Sequence, residues 1–288
     1  MNVIEVKNLN KIYKERDIFK KLKGKKTKLG VENLSFEVEE GEIFSIIGLN
    51  GAGKTTIMKC LLGLLDYDSG EINILEKGSI KKETKNFIGY LPEISYYPKS
   101  IKLNILMEYY AELYGIDSKI KKLKINESLE KVGLIEKKEV KLEDFSKGML
   151  QKVGIAQSIL NSPKLLFLDE PMSGLDPLAR RDVIELLKEL KKNGTTIILN
   201  THILSDIETI GDRGIIVNKG KLLEKFNLHE KREKEESFKI SLIDGSFKII
   251  LKRDLEESIK KLNGIIDISK NQFSLEEYFK NIVLGGEK

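Results

Sequence analysis

The residues Gly48-Leu49-Asn50-Gly51-Ala52-Gly53-Lys54-Thr55-Thr56 fit G-x-x-x-x-G-K-[ST], a pattern whose chemistry is the capture of a polyphosphate. Gly48, Gly51 and Gly53 let the backbone N–H groups of the loop, those of Asn50 and Ala52 among them, turn inward around phosphate oxygens. Lys54 can reach the β- and γ-phosphates, and the Thr55 hydroxyl, with Thr56 beside it, can ligate Mg²⁺. The flanks suit that task. Ile43-Phe44-Ser45-Ile46-Ile47 reads as a buried strand, and residues 55–65 (TTIMKCLLGLL) read as a helix whose N-terminus adds partial positive charge.

Two acids stand at the end of another apolar run. Leu165-Leu166-Phe167-Leu168 reads as a central parallel strand and runs into Asp169-Glu170. A buried strand that ends in two unanswered charges is costly. A divalent cation opposite Thr55 answers the first, which makes Asp169 the metal-shell candidate; a water to be oriented for attack on phosphate answers the second, Glu170. Residues 195–200 (TTIILN) form a further apolar strand, followed by Thr201-His202. Ligands of open α/β sheets bind at the carboxyl ends of the strands, so His202 stands where it can hydrogen-bond the γ-phosphate and the attacking water.

Such a site needs a sheet to hold it, and the rest of the chain supplies one. Residues 3–6 and 34–38 alternate as half-buried antiparallel strands do, with Tyr13 between them, and 71–75 and 87–90 read as short strands. Helices are expected at 104–114 with Gly115 as cap, at 126–132 and 150–160, and from Asp176-Pro177 through Leu190 to Asn193-Gly194. Residues 215–217 and 221–223 flank a turn and read as a hairpin. At Lys225 the composition shifts. A charge run at 229–236 reads as linker or solvated helix, 238–242 and 247–251 as a hairpin about Asp244-Gly245, 255–262 as a short helix, and Ser274-Leu275-Glu276-Glu277 as the cap of a last one. The fold class expected is α/β: a P-loop NTPase core with a mostly parallel sheet, an antiparallel β subdomain, a helical subdomain and a small C-terminal α/β extension.

Bulk properties narrow the function. Among 288 residues, 33% are charged and 40% hydrophobic, which is a globular composition with ample core. No apolar run is long enough to span a bilayer, and Met1-Asn2-Val3-Ile4-Glu5 is no signal peptide. The single cysteine, Cys60, excludes an intramolecular disulfide and reads as a core residue. A net charge of +5 is small for this length and its lysine excess reads as composition bias, so it is weak evidence for nucleic-acid binding and no nucleic-acid partner is expected. The basic stretch 19–28 (FKKLKGKKTK) is either a solvated loop or a contact with an acidic membrane surface or partner.

Phe145-Ser146-Lys147-Gly148-Met149-Leu150-Gln151 resembles the signature motif of the ATP-binding-cassette (ABC) ATPases and precedes the 165–168 strand at that family's spacing. Ser173-Gly174-Leu175-Asp176 resembles the family's D-loop, and Tyr13 matches its adenine-stacking aromatic. The resemblance covers residues 3–223. It implies ATP and Mg²⁺ as ligands and a head-to-tail dimer with a second ATPase subunit, identical or related. In that dimer Ser146, Lys147, Gly148 and Met149 face the γ-phosphate held by the other protomer, and Ser173, Gly174 and Asp176 link the two sites. It implies a cassette over 1–224 with a helical subdomain about 94–160, an extension over 225–288, and an integral membrane permease on a separate chain. Tyr96, Tyr97 and the helix from Asn104 then either touch the permease or lie inside the subdomain. The expected location is the cytoplasmic face of a bacterial membrane, held peripherally.

The sequence departs from the family at three places. Lys147 replaces Gly and Met149 replaces Gln in the signature, as in ABC-2 type exporter cassettes, which the C-terminal extension also resembles; both favour export. The lid position carries Glu93 where Gln is usual; its carboxylate can reach Mg²⁺ but adds negative charge beside the phosphates. Ribosome-acting cassette proteins carry two cassettes and the DNA-repair kind a long coiled coil, neither of which this sequence has. A P-loop kinase or switch GTPase is opposed by the signature, the D-loop, His202 and the lack of N-K-x-D.

Overall fold

The computed structural model describes residues 1–13, 28–80, 82–234, 237–243, 245–271 and 273–285. Its contacts divide into two units, Met1–Lys225 and Phe226–Lys288. Most of the basic stretch read at 19–28 lies outside the described residues, and Lys28 is the first residue of a strand.

The first unit contains two sheets. β1 (Asn2–Tyr13) pairs antiparallel with β2 (Lys28–Glu39) and with β4 (Ser69–Ile74). β3 (Ile43–Ile47) belongs to a six-stranded sheet with β5 (Ile88–Leu91), β6 (Leu165–Asp169), β7 (Thr196–Asn200), β8 (Arg213–Asn218) and β9 (Lys221–Asn227). Its order is β5-β6-β7-β3-β8-β9, and the first five strands run parallel. β3, β6 and β7 are buried along their whole length, which is why they read as unbroken apolar runs rather than alternating ones. One face of this sheet, with Phe44, Ile46, Phe167, Ile198 and Val217, shares a core with the antiparallel sheet and with helix α1 (Lys54–Leu61). Phe36 of β2 stacks on Phe44 of β3 at 5.3 Å.

α1 is shorter than the 55–65 helix expected. It stops at Leu61 because Gly63 turns left-handed (φ 64°) while Gly63 and Leu64 donate to the Cys60 and Lys59 carbonyls. Cys60 is buried in the core, as expected. A short helix α2 (Lys82–Lys85), which has too few residues to show a pattern, precedes β5. Between β5 and β6 the chain inserts α3 (Leu103–Leu113), α4 (Ser118–Lys131) and α5 (Lys147–Ile159), which pack on one another. α4 starts eight residues before the expected 126. Its first turns are Lys-rich and have almost no amphipathic pattern, so the Asp117 cap, which accepts from the Lys119 N–H, was its main local signal. α6 (Pro177–Lys192) is capped by Asp176 with proline at its first position, and α7 (Leu204–Ile210) follows β7.

The second unit is a three-stranded antiparallel sheet with short helices. β10 (Ser237–Leu242) lies between β11 (Phe247–Leu251) and β12 (Ile265–Asn271). The helices are α8 (Leu228–Lys234), α9 (Leu255–Lys261) and α10 (Leu275–Gly285). β12 is absent from the sequence reading. Its apolar residues Ile266 and Ile268 are largely exposed, so neither burial nor a clean alternation marked it.

β5 and α5 meet without clearance, because a Cβ on Gly89 would fall 2.0 Å from the Ser158 carbonyl oxygen and 2.8 Å from Leu166 Cδ1. Gly89→Ala is expected to cost about 1–3 kcal/mol, as overpacked cores do. Gly41→Ala, at a site with nothing within 4 Å but φ +77°, should cost less. Urea unfolding of the two variants beside the parent checks the order, and equal midpoints would contradict this packing.

Candidate active site

The register across β6, β7 and β3 sets the site. Asp169 lies opposite Asn200, and Asn200 opposite Ile46, so three strand ends finish on one line and release their next residues to the same side. A cavity of about 660 Å³ opens there, lined by Tyr13, Gly30, Asn50 through Thr56, Glu93, Asp169, Glu170 and Asn200. It brings together Tyr13, the loop residues from Asn50 to Thr56, Glu93, Asp169 and Glu170, whereas His202 is not among its lining residues. Gly48 lies just outside it, packed so closely that a Cβ would fall 2.4 Å from the Val217 carbonyl oxygen.

The loop after β3 is shaped by its glycines. Gly51 and Gly53 have φ of 79° and 107°, and a Cβ on Gly53 would fall 2.6 Å from the Gly30 carbonyl oxygen. Gly53 sits at the α1 N-terminus and offers no side-chain cap, so the first N–H groups of α1 stay available to an anion. Lys54 is only 8% exposed. Its Nζ donates to the Gly48 and Leu49 carbonyls at 2.8 and 3.3 Å. Burial holds its pKa below the usual lysine range, against the opposing pull of Glu170, Asp169 and Glu93. The Tyr13 hydroxyl shares a 3.0 Å hydrogen bond with Thr56 Oγ1, and its ring lies against Gly30. Tyr13 is thereby fixed at the rim of the cavity.

Asp169 is 1% exposed. Burial pushes its carboxyl up to about 6; a hydrogen bond from Asn200 opposes the shift, Glu93 and Glu170 add to it, and Thr55 opposes it. Asn200 Nδ2 donates to Asp169 Oδ1 at 2.5 Å, while Asp169 Oδ2 is buried with no hydrogen-bond partner. An orphaned carboxylate oxygen in a cavity also lined by a threonine and a glycine-rich loop would suit a hard divalent cation such as Mg²⁺. Among the described residues no cluster of three or more His, Cys, Asp or Glu side chains could hold a metal unaided. Glu93 lines the cavity as well, so its carboxylate adds to the negative charge there.

Glu170 follows the strand end in the left-handed region, φ 54°, a conformation worth about 1–3 kcal/mol of strain for a non-glycine residue. Three bonds hold it there. Its N–H donates to the Asn200 carbonyl at 2.8 Å, and Gln151 Nε2 donates to the carbonyls of Glu170 and Pro171, each at 3.1 Å. Its carboxylate Oε2 lies 2.8 Å from His202 Nδ1 and accepts from Thr201 Oγ1 at 3.4 Å. His202, though half out in solvent, is thus paired with the acid predicted to orient water. Behind it, Arg180 of α6 forms an ion pair with the buried Asp206 of α7.

The signature residues stand elsewhere. Ser146 caps α5, accepting from the Met149 N–H at 3.2 Å. Neither they nor Ser173, Gly174 and Asp176 line the cavity of their own chain. The two groups touch each other: a Cβ on Gly148 would lie 3.4 Å from the Gly174 carbonyl oxygen, and the Lys147 methylenes lie over Gly174. Of the two tyrosines set against the permease or the interior, Tyr96 is 88% exposed, whereas burial pushes the Tyr97 hydroxyl up to about 12 and places it beside Ser95. Asn200, Thr201 and Gln151 escaped the sequence reading as site residues. Asn200 carried one signal, a lone amide closing an apolar strand.

Residues 31–173 match the profile of the ABC transporter family. An uncharacterized ABC transporter ATP-binding protein of Synechocystis is 39% identical over 85% of this chain and 68% of its own. The bacitracin transport ATP-binding protein BcrA of Bacillus licheniformis is 33% identical over 96% of this chain and 99% of its own. A solved structure described as the ATP-binding subunit of an ABC transporter superposes with a TM-score of 0.69 at 31% identity, over 80% of this chain and 92% of that one.

The buried Asp169 gives a pH signature with a definite sign. Its folded pKa lies above its unfolded value, so its contribution is full below about pH 4 and is lost as pH rises through about 6. The loss is at most about 3 kcal/mol. Asp169→Asn should therefore be the more stable protein at pH 7.5 without nucleotide or metal, and the difference should shrink towards pH 4. Thermal unfolding of both proteins across that range is the check; a variant less stable at pH 7.5 contradicts it.

Proposed function

The chain belongs to the ABC transporter family, and from that premise we propose that it is the ATPase subunit of a bacterial exporter, working as a dimer around ATP and Mg²⁺. ABC ATPase subunits dimerise and work with membrane permeases, and no described helix here is long and apolar enough to cross a membrane. The observation that carries the site assignment is the 2.8 Å pair of Glu170 and His202, in which Glu170 lines the same cavity as Lys54 and Asp169.

Each group has a task in hydrolysis. The loop N–H groups and Lys54 hold the phosphates, and Lys54 exchanges its two carbonyl partners for phosphate oxygens. Tyr13 takes the adenine. Glu170 orients the attacking water, and His202 holds that carboxylate and reaches the γ-phosphate. Thr55, Asp169 and Glu93, which line the same cavity, would hold a Mg²⁺, and the ion would supply positive charge to the phosphate oxygens. Ser146, Lys147, Gly148 and Met149 complete the partner's pocket, a role that suits a capped helix N-terminus lying outside its own cavity. Ser173, Gly174 and Asp176 connect the two pockets.

The permease partner and the direction of transport rest on further features. Ile105, Tyr109 and Leu113, spaced four apart along α3, are exposed together, as are Ile94 and Tyr96 before it. An apolar stripe of this kind suits a partner that covers it. The bacitracin transport protein matches nearly the whole of this chain, extension included, which favours export and a peripheral place on the cytoplasmic face of the membrane. The unit from Phe226 is then a separate C-terminal domain of an exporter cassette.

Glu170→Gln should cut ATP turnover by about 10²–10⁴-fold, the contribution of a positioned acid or base, while ATP stays bound. The same variant with ATP should elute as a dimer in gel filtration. A monomer that retains ATP would overturn the shared-pocket arrangement. Lys54→Ala should weaken ATP binding itself, read by titration with a fluorescent nucleotide; unchanged affinity would remove Lys54 from the phosphate site.

A further inference from the structure

Asn200 ends β7 at 2% exposure, in a strand whose other members from Ile197 to Leu199 are aliphatic. A primary amide in that position costs free energy unless something uses it. Asp169 uses its NH₂ end, and the residue's main chain serves the other acid of the site, Glu170. Asn200 Nδ2 donates to Asp169 Oδ1 at 2.5 Å, and its main-chain carbonyl accepts from the Glu170 N–H at 2.8 Å. A single residue therefore grips Asp169 by its side chain and Glu170 by its backbone.

The consequence lies in what remains free. A carboxylate can turn about its last bond and exchange its oxygens. The Asn200 amide removes that freedom, since it engages Oδ1 and leaves Oδ2 as the oxygen without a protein partner. The amide orientation follows from chemistry, because only the NH₂ end can donate to a carboxylate. Asn200 Oδ1 is then left buried without a partner as well, so two orphaned acceptors lie on adjoining side chains that both line the cavity. An orphaned buried acceptor costs about 1–3 kcal/mol, and a metal-bound water has two strong donors to offer.

We propose that Asn200 is a positioning residue for the divalent cation: its amide selects the Asp169 oxygen presented to the metal shell, and its own Oδ1 accepts a hydrogen bond from a water of that shell. The proposal rests on the nucleotide-site reading above. It gives the outer shell of the metal site a member from β7 in addition to the groups on the loop and on β6. Outer-shell partners of this kind typically govern 10–100-fold in metal affinity.

The test is a Mg²⁺ titration of the affinity for a non-hydrolysable ATP analogue, read by equilibrium binding on the full chain, with EDTA as the metal-free reference. Asn200→Leu keeps the side-chain shape and removes both polar ends. Its affinity in EDTA should match the parent within about twofold, while the Mg²⁺ midpoint rises 10–100-fold. An unchanged midpoint in a variant that unfolds at the parent's temperature overturns the proposal, as does an equal loss of affinity with and without Mg²⁺, which marks a purely structural role. If Asn200→Leu does not fold, Asn200→Ser and Asn200→Ala carry the comparison: Ser keeps a donor for Asp169 and should hold the lower midpoint, and equal midpoints overturn the proposal. A parent protein that binds the analogue no better with Mg²⁺ than in EDTA would instead refute the metal-site reading, and so the two failures are distinguishable.

Discussion

A carboxylate that is 1% exposed, with one oxygen held and the other left alone, is the constraint around which this molecule is arranged. Water would solvate it and a lysine would neutralise it. The only buried lysine among the described residues, Lys54, is turned instead onto the carbonyls of its own loop. The site thus keeps a cation and an anion apart within one cavity, with Glu170 and Glu93 adding negative charge near the anion. In water such an arrangement would be worth little, but where both charges are buried it is strained until ligands of both signs arrive. On the proposed reading, a phosphate chain and a divalent cation would relieve it together. The same strain that favours the ligand depresses the stability of the empty protein.

The parallel sheet makes this arrangement possible. Strands buried on both faces cannot carry charges along their length, so Asp169, Glu170, Asn200 and His202 lie at a strand end or just past one. The register that aligns Ile46, Asp169 and Asn200 converts three separate strand ends into one edge. Glu170 then leaves β6 in a left-handed turn, which aims its carboxylate across to Thr201 and His202 rather than further along the strand. The turn is affordable only because Asn200 and Gln151 satisfy its backbone groups.

What could be read from the sequence follows from this division. The loop 48–56, the acids after an apolar run and the histidine after another were legible because each is a local pattern, a polar group abutting four or five aliphatic residues. Asn200 was passed over because an amide at a strand end has many ordinary uses, and its meaning depends on the register with β6, which no single segment contains. Gln151 was quoted as part of the signature and not as a support for Glu170, since its acceptors lie in another strand's exit turn. Tyr97 could not be told from Tyr96 by composition; only packing sends one inward. The expected helix 126–132 missed the first turns of α4 for the opposite reason: its four early lysines, Lys119, Lys121, Lys122 and Lys124, carry no buried face to betray a period.

The position of Gln151 also bears on how two pockets in one dimer can act together. Ser146 starts α5, and Gln151 stands little more than one turn further along the same helix. In the proposed dimer the first faces the partner's nucleotide, while the second holds the carbonyls of Glu170 and Pro171 in its own chain. Gly148 rests on Gly174, so the D-loop is seated on the same turn of helix. A rigid helix that is capped at one end and hydrogen-bonded to the exit of β6 transmits displacement rather than absorbing it. In the proposed dimer, an approach or retreat of the partner's phosphate at Ser146 would then shift the turn that strains Glu170. On the proposed reading, the signature, the D-loop and Glu170 would move as one body, and each protomer would carry in it both a wall of its partner's pocket and the carboxylate of its own.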